Sequence, residues 1–130
     1  MSLKPTYQER LQERLAAEQG AIAALRTGLQ AALSKLGFDD KAGAIDEPLV
    51  NPELRRDSYE GTDSLFAEWR TPSGALLGYL LIHGAGQIYA EYDVLAAHPT
   101  KSQWFIEAVT AWGSAEAVKT EPRLLPALQD

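Results

Sequence analysis

The stretch LFAEWRTPSGALLGYLLIHGAGQIYAEYDVL, residues 65–95, decides how the chain is read. Two turn-forming breaks, Pro72-Ser73-Gly74 and Gly84-Ala85-Gly86, divide it into three largely apolar runs. Runs of this length between turn formers are the mark of strands joined by hairpins. The reading is a three-stranded antiparallel meander in the order 1-2-3. A three-residue turn with glycine at its left-handed position suits residues 72–74. A two-residue type II′ turn with Gly84 at its first central position suits the second break. Both turns then place Leu65, Ala67 and Trp69 on one face with Leu77, Tyr79 and Leu81, and with Ile88, Ala90, Tyr92 and Val94. That face is the expected core.

The same register puts Phe66, Glu68 and Arg70 on the opposite face, with Leu76, Gly78, Leu80 and Ile82 and with Gln87, Tyr89, Glu91 and Asp93. Glu68 and Glu91 would flank Gly78 at about 10 Å across two strand spacings. Gly78, without a side chain, would leave a dent between two carboxylates, with Arg70, Tyr89 and Asp93 close by. Such a dent suits a cationic or sugar-like ligand, or acid–base chemistry if the two pKa values are pushed apart. The plainer reading is a partly solvated face whose charges pair across strands. The middle strand is apolar on both sides, so its second face also calls for cover, from the long helix, from residues 38–64 or from a second subunit.

The run His83-Gly84-Ala85-Gly86 has the composition of an oxyanion-hole loop, but the chain has no G-x-S-x-G nucleophile elbow to go with it. A strand follows the glycines and Tyr89 stands where a dinucleotide fingerprint needs its third glycine. The glycines are therefore assigned to the turn.

Upstream, residues 5–36 read as one long helix. Leu15, Ile22, Leu29 and Leu36 recur every seven residues, Leu11 and Leu25 fill the alternate positions, and Gly37 fits a C-terminal cap. Glu18 interrupts the seam. An unbroken helix would run about 48 Å, more than a domain of this size needs. Either it breaks, near Gly20, or its Leu15–Ile22–Leu29 seam meets a partner; the alternative is that the seam packs on its own sheet. Gly20 and Gly28 offer points of close approach. Residues 37–64 read as an irregular connection with one short edge strand or helical turn. Residues 100–113 read as a second helix. Thr100 and Gln103 suggest a capping box, and Trp104, Phe105, Ala108, Val109 and Trp112 suggest an apolar face that packs on the sheet. Residues 114–130 could give a short helix or an extra edge strand, with the tail docked. The fold class is α+β, as a single domain over 1–130.

Composition narrows the function. The chain has 130 residues, a formal net charge of −6, two histidines and no cysteine. The missing cysteines exclude disulfides, thiol nucleophiles, zinc fingers and iron–sulfur clusters, and two histidines argue against a His-rich metal site. The acidic balance disfavours nucleic acid and suits solubility or a basic protein partner. No apolar run reaches the ~18 residues of a spanning helix, and the polar N-terminus does not resemble a secretory signal. A cytoplasmic protein without a cofactor, and without a role at a membrane, is expected. Its function is read as a non-enzymatic protein–protein interaction module, homodimeric or bound to another protein. The alternative is a small-ligand-binding protein or enzyme using Glu68, Arg70, Gly78, Tyr89, Glu91 and Asp93.

Overall fold

A computed structural model describes residues 5–56 and 61–127. Three helices precede six strands: α1 (Tyr7–Ala17), α2 (Gln19–Lys35), α3 (Asp39–Ala44), β1 (Val50–Arg56), β2 (Asp63–Arg70), β3 (Leu76–Ile82), β4 (Ile88–Ala97), β5 (Trp104–Ser114) and β6 (Ala117–Pro126). The strands form one antiparallel sheet in the order β1-β2-β3-β4-β5-β6. The fold is α+β, but the three-stranded meander with a C-terminal helix is overturned: the sheet has twice as many strands and all the helices come first.

The seven-residue seam is broken at Glu18, which sits at φ −99°, ψ 13° between α1 and α2. Its carboxylate takes a 3.1 Å hydrogen bond from Arg14 Nε, so the one polar residue of the seam marks the joint. Arg14 also donates to the carbonyls of Asp63, at 2.6 Å, and Ile82, at 3.0 Å. These bonds tie α1 to neighbouring ends of β2 and β3. At the other end of α2, Gly37 holds φ +91°. Phe38 N donates to Leu33 O and Gly37 N to Ser34 O, the paired bonds of a Schellman cap.

The seam that was a candidate partner surface is spent inside the chain. Ile22 and Leu29 are buried and Leu15 packs against the core. They meet one face of the sheet, built from Leu65, Ala67, Trp69, Leu80, Ile82, Ala90, Ile106, Val109 and Ala111. A Cβ on Gly28 would come within 2.9 Å of Val118 Cγ1, so this glycine lets α2 lie close over β6. Buried Trp69 donates its indole N–H to Ile45 O at 3.1 Å, which ties α3 to the sheet.

The helix expected over 100–113 is strand β5. Its register with both neighbours shifts between Ile106 and Ala108. Ile106, Val109 and Ala111 therefore join the helix-side core, while Glu107 turns to the other side. A bulge places an extra residue in one strand and breaks its alternation. Here the core residues fall three and then two apart, at 106, 109 and 111, and the apolar stripe expected of a helix draws on both faces: Val109 lies in the core, while Ala108 and Trp112 pair with Asp93 and Tyr89 of the outer face. The tail beyond Ser114 is β6, a full edge strand.

The middle strand β3 is also corrected. Gly74 holds φ +94° in the first turn, and Thr71 and Ala75 close it. The register then slips: Arg70 pairs with Leu76 but Trp69 with Gly78, leaving Leu77 extra. In the second turn His83 pairs with Gln87 across a three-residue loop, and the left-handed residue is Gly86 (φ +97°), not Gly84. Both slips move β3 by one residue in the same sense. Leu80 and Ile82 therefore face the helices, and Tyr79 and Leu81 the other side.

Candidate binding face

The helices cover one face of the sheet; the candidate functional residues lie on the other, outer face. Pairing sets them in rows across the strands. One row runs Phe66–Leu81–Tyr89–Trp112–Lys119, and the next runs Glu68–Tyr79–Glu91–Thr110–Glu121. A third brings together Asp93, Ala108 and Arg123. Phe66 stacks on Tyr79 at 5.7 Å, and Tyr79 lies 6.0 Å from Tyr89. The Arg55 guanidinium sits 3.5 Å over the Phe66 ring, an attractive cation–π arrangement. The middle of the face is thus a half-buried aromatic and aliphatic strip.

Charged groups border the strip in two clusters. On the β1–β2 side, Glu68 accepts from Arg70 Nε at 3.1 Å, from Arg70 Nη2 at 2.9 Å and from Asn51 Nδ2 at 3.0 Å. These bonds, Arg70's first, hold the Glu68 carboxyl below its ordinary range. On the β4–β6 side, Arg123 bridges Glu91 and Glu107. Glu91 also accepts from the phenols of Tyr89, at 3.2 Å, and Tyr79, at 3.4 Å. Burial alone would raise the Glu91 pKa, but the Arg123 bond and charge, helped by the phenols, bring it below its ordinary value. Tyr89, desolvated and facing the Glu91 charge, is pushed up to about 12. Asp93 shifts upward, first through desolvation and then through Glu91.

The sequence-derived site is therefore brought together only in part. Glu68, Arg70, Tyr89, Glu91 and Asp93 lie on the outer face, with Glu68 and Glu91 one strand to either side of β3. Gly78 does not. It faces the helices, where Trp69 and Tyr92 meet edge to face at 5.8 Å. A Cβ there would strike Glu91 O and approach Tyr92 Cα at 3.0 Å. The position between the carboxylates holds the Tyr79 ring, so there is no dent. Arg123, Glu107 and Tyr79, which complete the clusters, were outside the sequence-derived set. Arg123 could be found only by reading 117–126 as a strand, and its apolar alternation is too weak for that.

His83 is a turn residue whose Nδ1 lies 3.3 Å from Ser64 Oγ. Gly84 faces Thr62 closely enough that a Cβ would come within 2.6 Å of Thr62 Cβ, so it is needed for space rather than for a left-handed conformation. Open clefts lie toward either side of the outer face. One, of about 670 Å³, includes Asn51 and Arg70; the other, of about 510 Å³, includes Trp104, Glu121 and Arg123. Neither encloses a small molecule in the manner of a formed pocket. Among the described residues no group of three or more His, Asp or Glu side chains is arranged to hold a metal, and no helix is long and apolar enough to cross a membrane.

No protein-family model, curated protein or solved structure matches this chain.

Proposed function

We propose that this protein is a non-enzymatic protein–protein interaction module that works through the outer face of its sheet. The observation that carries the reading is the aromatic strip on a six-stranded face that, among the described residues, no helix covers. A broad surface with aromatic side chains at its centre and polar groups at its rim has the anatomy of a protein interface. Rigid strands hold the strip in place, so little ordering is required on contact.

Small-ligand binding or acid–base catalysis by the same carboxylates has less behind it. Glu68 and Glu91 both spend their oxygens on guanidinium groups, and both are shifted toward the ionised form, which suits neither to act as a general acid at neutral pH. Asp93 is the exception, raised beside a lowered Glu91, but no enclosed pocket holds the pair.

Site-specific photo-crosslinking in the producing cell tests the proposal. A benzophenone amino acid at Leu81 on the strip should give protein adducts, whereas the same group at exposed Ala23 on α2 should not. Absence of adducts at Leu81, or equal labelling at both positions, would remove the outer face as the contact surface.

A further inference from the structure

Resting on that reading, we infer that the occupant of the outer face is a basic segment of another protein, which sets apolar side chains on the aromatic strip and Lys or Arg side chains among the carboxylates of the β4–β6 side.

The charge of the face is lopsided. On the β1–β2 side two carboxylates meet two guanidinium groups and each is bridged, Glu53 to Arg55 and Glu68 to Arg70. On the β4–β6 side Glu91, Asp93, Glu107 and Glu121 stand against Arg123 and Lys119. Arg123 serves both Glu91 and Glu107. Among the described residues, Asp93 and Glu121 enter no ion pair. Asp93 is half-buried, and burial, then the Glu91 charge, raise its pKa. A carboxylate that loses water without gaining a counter-charge is left for a cation from outside to satisfy.

The strip itself shows how such a cation sits. Arg55 lies over the Phe66 ring and bridges Glu53, so the β1 side fills a site of ring plus carboxylate from within the chain. Tyr79, Tyr89 and Trp112 continue the strip toward the spare carboxylates. Among the described residues, no guanidinium or ammonium lies over those rings. An incoming Lys or Arg there meets a ring and a carboxylate together, as Arg55 does. An acidic protein or a nucleic acid meets repulsion instead.

Size selects a segment rather than a whole domain. Six strands at ~4.8 Å spacing and about seven residues at ~3.3 Å each give a flat footprint of roughly 24 by 23 Å. That is short of the ~800 Å² per partner of a standard interface, whereas an extended segment of about seven residues crosses it. The segment lies on the face and does not add at an edge. Pro52 in β1, and Pro122 and Pro126 in β6, remove N–H groups that a new ladder would use.

The test is selection from a random-peptide library displayed on phage, with the purified full chain as bait, followed by titration of the enriched peptides into the natural sequence, Glu121→Lys and Glu13→Lys. Both glutamates are exposed, and the two variants change the net charge equally. The enriched peptides should carry Lys or Arg beside Leu, Phe, Tyr or Trp. Their affinity should fall about three- to tenfold at low salt in Glu121→Lys and hold in Glu13→Lys. Should Glu121→Lys fail to melt cooperatively, Asp93→Asn takes its place, with a loss in the same direction. Enrichment of acidic or uncharged peptides, no enrichment, or affinity indifferent to the outer-face variant overturns the basic segment. The Leu81 crosslinks separate this claim from the one it rests on. Adducts to another protein alongside a failed selection retain the outer face as a contact surface and reject its basic occupant. Adducts that join two copies of this chain reject it in favour of a second copy, and no adducts with no selection reject both claims.

Discussion

Gly78 is glycine because a Cβ there would strike the Glu91 carbonyl oxygen and press on the backbone and ring of Tyr92. Gly78→Ala should cost about 1–3 kcal/mol, the usual range for overpacking, read as a lower urea midpoint with an unchanged slope. Asp93 works in the other direction. Its folded pKa is raised, by desolvation and then by Glu91, so its ionised form is disfavoured in the fold relative to the unfolded chain. The penalty is full above the folded pKa and vanishes as pH falls to the unfolded value, ~3.9. Asp93→Asn should therefore be more stable than the natural chain at pH 7, and the advantage should disappear in the acid limb of a stability–pH profile. Legibility at this scale was uneven. Glu68, Tyr89, Glu91 and Asp93 could be placed on one face because β2 and β4 alternate cleanly between strip and core. Gly78 could not, because one extra residue at Leu77 reverses the side of everything after it in β3. The agreement between the two hairpin registers was no safeguard, since a bulge before β3 and a longer turn after it erred in the same sense.

At the scale of elements, α1 is held to the sheet by Leu11 and Leu15 against the core, by Tyr7, which accepts from Leu54 N, and by Arg14. Leu11 is its buried residue, whereas Arg14 reaches carbonyls on two strands and the Glu18 carboxylate. Arg14→Ala should cost about 1–3 kcal/mol by leaving those carbonyls without their donor. Hydrogen exchange should show the loss concentrated in α1 and the β2–β3 end, and uniform loss across the sheet would contradict this account. The break at Glu18 was legible as a polar residue in an apolar seam. Strand β5 was not. WFIEAVTAW is apolar on both faces and its bulge breaks strict alternation, and periodicity alone cannot separate a helix from a strand in so short a run. The β-branched and aromatic content of the segment favours a strand, and Gly113, which suggests a helix end, is a paired residue near the end of β5.

For the whole molecule, the sheet order follows the chain order without a crossover, and prolines stand in the two outermost strands and nowhere else in the sheet. Pro122→Val should restore a donor and a β-former to an open edge. The expected outcome is faster concentration-dependent aggregation on thermal scanning, with little change in the melting temperature of dilute samples. The α+β class was readable from the sequence because helical and alternating patterns occupy different parts of it. The size of the sheet was not, since both edge strands are proline-bearing and weakly alternating, and those are the features that mark a strand down when it is read in isolation.

The contact between Gly28 and Val118 joins residues ninety positions apart, and it also sets an order in time. Helix α2 lies on β4, β5 and β6, all of which leave the ribosome after it. Its apolar side, with Leu25, Leu29 and Leu33, is made before its native bed and cannot be covered by it until those strands have been made. The nascent chain therefore carries an apolar helix that must wait for distant strands before it can fold.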